Sequence, residues 1–296
     1  MKILTIIVSY NFMPWIDRCL GSLRQSEAKT DVMVLDNNSS DDTVKTIRSR
    51  FPEVMLVENK ANLGFGRANN IGMHYALQHG YDGVLLLNQD AWLDPDVLGR
   101  LGEMSRQHPE FGILSPVHLV GSGQKVEHGF GVYSGIASLE EQPREPLVAV
   151  GFIDAAIWYM PAEALRKVGL FAPIFYHYGE DKDLCNRMAY HKLKVGFVPR
   201  LYGYHDREFR KATRAGFFRS ESVYLLSEYA NVNYGFARAF AMGVLACGKK
   251  VLVSLLRLHL RDALSYTAIG ARLAWRSREI AKARSMSKNV ELQNYR

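Results

Sequence analysis

The strongest constraint on the fold is a repeated alternation of apolar runs and helical periodicity in the first 90 residues. The apolar runs cover residues 3–9, 32–35, 54–58 and 83–87. They are rich in Val, Ile and Leu, as expected of strands that are covered on both faces. The intervals at residues 15–25, 43–50 and 66–79 carry apolar residues at helical spacing. This order predicts a largely parallel sheet flanked by helices.

Polar residues stand close to the ends of the predicted strands. Asn11 comes after the first strand, 36–38 (Asp-Asn-Asn) after the second, and 88–90 (Asn-Gln-Asp) after the fourth. The carboxyl ends of parallel strands meet at one edge of a sheet, and ligands of such sheets bind there. We therefore expect a ligand site at this edge.

Asp90, Glu180, Asp181 and His205 are the candidates for chemistry. Glu180 and Asp181 stand where a helix is predicted to begin, and a carboxylate there can act as a general base or simply stabilise the helix start. Asp90 fits either a metal ligand or an Asx-turn that closes its strand. His205 follows a predicted strand over residues 194–199, and it gains importance only if a metal already needs another ligand. The residues alone leave these alternatives open.

Residues 111–151 are glycine-rich and lack a clear period, so short strands and loops are expected there, with a flap beside the site. Gly64 and Gly66 do not form a dinucleotide-binding fingerprint. That fingerprint follows the first strand and needs a third glycine, whereas these two follow the third strand and Asn69 stands at the last position.

Six segments stand in a fixed order along the chain: Ile7-Val8-Ser9-Tyr10-Asn11, Asp36-Asn37-Asn38-Ser39, Asn62-Leu63-Gly64-Phe65-Gly66 with Ala68-Asn69-Asn70, Asn88-Gln89-Asp90, Glu180-Asp181-Lys182-Asp183-Leu184, and His205. Taken in this order, they resemble family 2 glycosyltransferases, and especially the bacterial rhamnosyltransferase-like group that builds cell-wall and O-antigen glycans. The resemblance implies a GT-A fold over residues 1–210, and residues 211–296 form a helical, basic extension in this prediction.

The resemblance also implies roles for individual residues. Asp181, with Glu180 beside it, matches the catalytic base, while Asp90 and His205 match the ligands of a divalent metal, Mg²⁺ or Mn²⁺. The residues expected to bind the nucleotide sugar are Ser9, Asn11, Asp36, Asn38, Asn62, Gly64, Arg67, Asn88 and Gln89. Asn88 departs from the family, because it replaces the first Asp of the DxD motif and leaves the metal site with less negative charge.

The implied activity is inverting transfer of a sugar from a nucleotide diphosphate donor to a hydroxyl of a glycan or polyprenyl-linked acceptor. A dTDP-rhamnose-like donor is favoured. A UDP-hexose donor is the alternative within the family, and a nucleotide-binding scaffold without turnover is the alternative outside it.

Positive charge is concentrated near the C-terminus. The formal net charge is +7, yet residues 236–296 alone contain twelve Lys or Arg and three acids. At 100° per residue, Lys250, Arg257 and Arg261 fall on one side of a single helix and several leucines on the other. Such a helix either packs on the core with a solvated face or docks on an anionic membrane surface. No motif or aromatic-basic interleaving indicates nucleic-acid binding.

The predicted location is the cytoplasm, with peripheral attachment to the inner face of the plasma membrane. No signal peptide is apparent after Met1. The longest charge-free apolar stretch of the tail, residues 239–248, is shorter than the roughly 20 residues that a spanning helix needs. We therefore expect no membrane-spanning helix.

Overall fold

A nine-stranded mixed sheet organises the computed structural model, which describes residues 1–207 and 213–295. The strands are β1 (Ile3–Ser9), β2 (Asp31–Asp36), β3 (Met55–Glu58), β4 (Gly83–Leu87), β5 (Ala91–Leu93), β6 (Phe111–Val120), β7 (Val148–Val150), β8 (Ile157–Pro161) and β9 (Lys194–His205). Their order is β3-β2-β1-β4-β8-β6-β9-β5, and β7 pairs with β9. Strands β1, β2, β3 and β4 pair in parallel with one another, as predicted. Strand β8 is antiparallel to both β4 and β6.

Helices cover the sheet and form the C-terminal part of the chain. They are α1 (Ile16–Arg24), α2 (Thr43–Arg50), α3 (Phe65–Gln78), α4 (Val97–Gln107), α5 (His128–Ser134), α6 (Ala162–Val168), α7 (Glu180–Tyr190), α8 (Arg214–Ala230), α9 (Phe236–Leu256), α10 (Leu260–Trp275), α11 (Ser277–Lys288) and a final 3-10 turn (Leu292–Tyr295). The predicted helices of the first 80 residues are confirmed to within about one residue.

Both faces of the sheet are buried, as the apolar runs predicted. Along β1, Leu4 and Ile6 belong to one hydrophobic cluster, and Ile3 and Ile7 belong to another. Successive side chains of a strand point to opposite faces. The two clusters are therefore the two helix–sheet layers of the core.

The expectation of irregular structure over residues 111–151 was wrong in its first part. Residues Phe111–Val120 form β6, a ten-residue strand in the middle of the sheet, nine of whose residues are buried. Pro116 obscured it, because proline is rare inside central strands. The structure accommodates this proline at a register shift between Pro116 and Val117.

The C-terminal helices pack as a bundle with a small core of their own, which contacts the sheet domain through Ala172 and Phe175. The last turn also joins the sheet domain. The side-chain amide of Asn70 donates to the carbonyl oxygens of Phe171 and Tyr295, at 2.9 and 2.7 Å. The predicted domain boundary at residue 210 lies outside the described residues.

One expectation for the tail was wrong: Lys250, Arg257 and Arg261 do not share one helix, because α9 ends at Leu256, Leu258 adopts a positive φ of 58°, and α10 begins at Leu260. The charge-free stretch of residues 239–248 lies within a longer helix, since α9 continues past Lys249 and Lys250 to a length of 21 residues. Within the described residues, α9 is the one helix long and apolar enough to cross a membrane, with a mean hydropathy of 1.7.

Candidate active site

The loops after β1 and β2 are locked together by side chains of the predicted nucleotide site. The buried carboxylate of Asp36 accepts hydrogen bonds from the Ser9 hydroxyl at 2.9 Å and from the backbone N–H of Ser39 at 2.9 Å. The Ser39 hydroxyl in turn accepts from the backbone N–H of Asn11. Asn11 and Asn38 both adopt positive φ, at 53° and 65°. Ser9 and Asp36 thus shape this edge, while Asn38 is exposed beside them.

Two further contacts extend this edge across the sheet. The Gln89 amide oxygen accepts from the backbone N–H of Tyr10 at 2.8 Å, and its nitrogen donates to the Tyr10 carbonyl. On the other side, the Asn37 amide nitrogen donates to the Gly64 carbonyl at 3.2 Å. The carboxyl ends of β1, β2 and β4 and the loop before α3 therefore form one continuous surface.

Gly64 is required by its surroundings. Its φ is +79°, and a Cβ placed there would lie 2.3 Å from the carbonyl oxygen of Tyr176. Its N–H is bound by the side chain of Asn62 at 2.9 Å. The glycine thus lets the loop before α3 approach the segment that precedes α7. Asn62 and Arg67 are exposed on this side.

A cavity of about 1080 Å³ opens beside this edge and collects the residues with predicted chemistry. Asn88, Asp90, Glu180, Asp181 and His205 all line it, although up to 117 positions separate them in sequence. Among the described residues, the other predicted nucleotide-site residues do not line this cavity but surround its neighbouring edge. The predicted site therefore has two parts, which meet at Asn88. One is the polar edge formed by the loops after β1 and β2 and before α3, and the other is the acidic cavity.

Asp90 and His205 face each other at the end of paired strands. The β5–β9 register places Ala91 opposite His205, and the backbone N–H of Asp206 donates to the Asp90 carbonyl at 2.8 Å. This brings His205 Nε2 to 3.5 Å from a carboxylate oxygen of Asp90. Burial alone would lower the pKa of His205, but the negative charges of Asp90, Asp154 and Glu127 outweigh it and raise that pKa.

His205 also belongs to a second group that the sequence did not reveal. One potential ligand atom from each of His118, Glu127, Asp154 and His205 lies within 4.8 Å of the others. His118 Nδ1 and an Asp154 carboxylate oxygen are 3.5 Å apart, and neither atom makes a hydrogen bond to any described residue; the same holds for His205 Nδ1. Buried polar atoms without partners are costly unless a ligand satisfies them. Two imidazoles and two carboxylates suit a divalent transition-metal ion such as Mn²⁺ or Zn²⁺.

Glu180 and Asp181 begin α7 at the wall of the cavity, and both are perturbed. Burial, reinforced by the neighbouring charge of Asp181, raises the pKa of Glu180 to about 7. Burial also raises the pKa of Asp181 to about 6, although the backbone N–H of Lys182 stabilises its ionised form. A carboxylate with such a pKa can accept a proton near neutral pH. Asp181 is the more accessible of the two.

Helix α7 is fixed behind these two acids by a buried ion pair. Asp183 accepts from Arg187 Nε at 2.8 Å, and both side chains are buried. The remaining guanidinium nitrogens of Arg187 donate to the carbonyls of Val168 and Leu170, at 2.8 and 2.6 Å. Each nitrogen of the Arg187 guanidinium thus has a partner, and these bonds tie α7 to the segment after α6.

Sequence reasoning missed His118, Glu127 and Asp154 because they lie in or near the segment taken as irregular. Recognition of β6 would have pointed to His118, a polar residue inside a buried apolar strand. Asp154 lies in the loop three residues before the apolar run of β8, which begins at Ile157. Glu127 showed no such signal, since it caps α5 by accepting from the backbone N–H of Phe130.

The architecture is a GT-A fold, shared with solved glycosyltransferases. The structure of Staphylococcus aureus TarS (residues 1–349) in complex with UDP-GlcNAc aligns with a TM-score of 0.62 at 14% identity, covering 100% of this chain and 89% of that one. Mannosyltransferase PcManGT from Pyrobaculum calidifontis, in complex with GDP-Man and Mn²⁺, aligns with a TM-score of 0.57 at 16% identity, covering 97% and 87%.

The chain belongs to glycosyl transferase family 2, whose sequence model matches residues 5–168. A similar protein is the N-acetylglucosaminyl-diphospho-decaprenol L-rhamnosyltransferase of Mycobacterium tuberculosis, 26% identical over 230 residues that cover 68% of this chain and 75% of that protein. Another is the undecaprenyl-phosphate mannosyltransferase of Micrococcus luteus, 33% identical over 109 residues, or 36% and 45% of the two chains. The chain thus spans less than half of the latter protein.

Proposed function

We propose that this protein is an inverting, metal-dependent glycosyltransferase that uses a nucleotide diphosphate sugar and a lipid-linked glycan acceptor. The observation that carries the proposal is the convergence of Asp90, His205 and Asp181 on one cavity. A dTDP-rhamnose-like donor is favoured, because the rhamnosyltransferase relative is similar over two thirds of this chain.

The donor would lie across the junction of the polar edge and the cavity. The nucleoside would occupy the surface formed by Asn11, Asn38 and Asn62, whose exposed or half-exposed side chains offer hydrogen bonds. Ser9 and Asp36 would hold that surface in shape, since their polar atoms bind each other. The diphosphate would then lie near Asn88 and Asp90, with the sugar in the cavity.

The reaction would be a single displacement. An acceptor hydroxyl attacks the anomeric carbon as the bond from that carbon to the diphosphate oxygen breaks, so the configuration inverts. The hydroxyl proton passes to a carboxylate oxygen of Asp181, and the bond's electron pair leaves with the nucleoside diphosphate. The fixed position of α7 supports this role, because a general base must lie within hydrogen-bond reach of the proton that it removes.

A divalent cation fits the cavity by its donor set. Asp90 and His205 would hold it, and the proximity of His118, Glu127 and Asp154 to His205, whose buried Nδ1 has no hydrogen-bond partner among the described residues, supports a contribution from the deeper group. When bound, the cation would neutralise negative charge on the diphosphate. The carboxylates around His205 would meanwhile keep the imidazole oriented toward the site.

The proposed acceptor and location are supported by the relatives rather than by the cavity. Both relatives are named for polyprenyl substrates, a decaprenol diphosphate sugar and undecaprenyl phosphate. A lipid-linked acceptor of this kind would place the enzyme at the cytoplasmic face of the plasma membrane.

The proposal is tested by following sugar release and transfer from dTDP-, UDP- and GDP-sugars in the presence of Mg²⁺ or Mn²⁺. We expect turnover with at least one donor and its loss in Asp181→Asn. Turnover only with UDP-hexoses would replace the rhamnose assignment. Donor binding without any turnover would favour a nucleotide-binding scaffold. This second candidate is favoured by Asn88, which stands where the family motif has an Asp.

A further inference from the structure

The outward face of α9 is apolar, the reverse of what a helix on the surface of a soluble protein shows. Buried residues of α9, including Cys247 and Ser254, mark the side that packs on the bundle. At 100° per residue, Leu245, Leu252 and Leu256 fall within about 40° of one another on the opposite side. All three are exposed, and Leu256 is 76% exposed. In the most apolar stretch of α9, 17% of the residues are buried, so this is no core helix.

Helix α10 repeats the pattern beside it. Its inward side carries Tyr266, Ile269 and Leu273, all buried in the bundle core. Its outward side carries Leu264, 71% exposed, and Trp275, 90% exposed. The two helices pack closely where Gly270 meets Cys247, since a Cβ on the glycine would lie 3.4 Å from that side chain. Each helix and their connection thus carry exposed apolar residues, here called together the hairpin face: Leu245, Leu252, Leu255, Leu256, Leu258, Leu260, Leu264 and Trp275.

Basic residues border the hairpin face. Arg238 stands at the start of α9, Lys249 lies about 40° from Leu245 on the exposed side of the helix, and Arg257 and Arg261 stand at the connection to α10. Among the described residues, Lys249, Arg257 and Arg261 have no acidic partner within ion-pair distance. Trp with exposed leucines beside unpaired cations is the composition of a surface that enters the boundary between lipid headgroups and acyl chains.

The charge pattern favours an anionic bilayer over a second copy of the chain. Residues 236–296 carry twelve cations and three acids. Joining two hairpin faces would bring two such rims together, and like charges repel. An anionic leaflet instead attracts each basic residue near its surface, and long cationic side chains can extend to the headgroups while their stems stay in apolar surroundings.

Ion pairs on the side of the hairpin opposite the hairpin face limit how deeply the hairpin can enter a bilayer. Lys250 binds Glu221 of α8 at 2.5 Å, and Arg214 of α8 binds Asp262 of α10 at 2.8 Å. A hairpin that crossed the bilayer would carry these charges into hydrocarbon, which is expensive. A hairpin that lies parallel to the surface leaves them on its water-facing side.

We propose that the α9–α10 hairpin is a membrane anchor that lies in one leaflet of an anionic bilayer with the hairpin face toward the acyl chains. This goes beyond the proposed transfer reaction, because it rests on surface residues that are remote from the cavity. It also revises the membrane contact predicted from sequence: apolar insertion provides the attachment, and the basic rim provides the preference for anionic lipid.

The first test is co-sedimentation of the full-length protein with vesicles of phosphatidylglycerol and phosphatidylcholine. Leu245→Gln, Leu252→Gln and Leu264→Gln combined should lower partitioning at least about tenfold, because apolar burial is lost while the charge is unchanged. The matched control is Ile71→Gln, which alters an exposed apolar residue on α3 of the sheet domain and should bind as wild type does. Donor hydrolysis should be unchanged in both variants, so failure of the anchor and failure of the proposed reaction give different results.

The second test measures depth. Trp275 fluorescence should be quenched by lipids brominated on their acyl chains, and Trp275→Phe should abolish that quenching while Trp15, Trp92 and Trp158 remain. Binding that raised salt removes completely, without acyl-chain quenching, would overturn insertion. A dimer in solution that the triple variant makes monomeric, with no vesicle binding by the wild type, would assign the hairpin face to a second copy instead.

Discussion

Replacing Asp181 by Asn should lower sugar transfer and raise the stability of the folded protein at the same time. The substitution keeps the shape of the side chain but removes the proton acceptor, so transfer should fall by roughly 10²–10⁴-fold. Donor binding should survive, because Asp181 is not among the residues proposed to bind the nucleoside and diphosphate. In the wild type, transfer should fall as the pH drops through about 6, since the protonated form of Asp181 cannot accept the hydroxyl proton.

The stability gain follows from the raised pKa of Asp181. Burial moves that pKa from 3.8 to about 6, so the folded state holds this proton more tightly than the unfolded state. The stabilisation from the protonated group is complete below pH 3.8 and is lost as the pH rises through about 6. At 1.36 kcal/mol per pKa unit, the ionised carboxylate costs about 3 kcal/mol above pH 7. Asn avoids that cost, so the variant should gain up to this amount at pH 7.5 and less at pH 5.

Urea denaturation of both proteins from pH 5 to pH 8 measures this gain. Asp183→Asn is the matched control, because the same substitution two residues along α7 removes the partner of the buried Arg187. It should destabilise the protein by about 3–5 kcal/mol. Near-wild-type transfer by Asp181→Asn would refute its role as the base and point to Glu180. Destabilisation by Asp181→Asn at pH 7.5 would show that burial does not penalise the ionised carboxylate of Asp181.

Metal removal and loop substitution provide further tests. Chelation with EDTA should abolish transfer, and Asp90→Ala should weaken metal-dependent donor binding more than His205→Ala, because a neutral ligand contributes less charge; full activity after verified metal removal would contradict this. His118→Ala should weaken Mn²⁺ binding, measured by calorimetry, if the deeper group holds part of the cation, and unchanged affinity would limit the site to Asp90 and His205. Gly64→Ala places a Cβ 2.3 Å from the Tyr176 carbonyl at a positive φ, so donor affinity in a thermal-shift titration should fall roughly tenfold or more, and unaltered affinity would show that the loop can shift.

The parallel half of the fold could be predicted because each strand is marked locally. Ile3–Ser9 and Gly83–Leu87 are continuous apolar runs with turn residues after them, and the structure forms both strands with these bounds. The antiparallel strand β8 and the central strand β6 were harder to recognise. Their pairing joins residues far apart in the chain, such as Leu114 with Tyr159, and no local period records it.

The candidate site likewise has residues that the sequence could indicate and residues that only the sheet brings together. Asp90, Asp181 and His205 stand beside recognisable elements, so a sequence pattern could select them, and the structure brings all three to one cavity. His118 and Asp154 approach each other only because β6 and β8 lie side by side in the sheet. In the tail, the pattern of charge was visible, but the end of α9 at Leu256 depends on a backbone turn that helical periodicity does not predict.

The anomeric configuration of the released sugar shows whether the displacement is single. Water can replace the acceptor, so donor hydrolysis with Mg²⁺ or Mn²⁺ can be followed by proton NMR before the sugar mutarotates. We expect the first sugar to appear with the configuration opposite to that of the donor, and we expect Asp181→Asn to suppress its appearance. A retained configuration, or equal release by the variant, would contradict single displacement with Asp181 as the base.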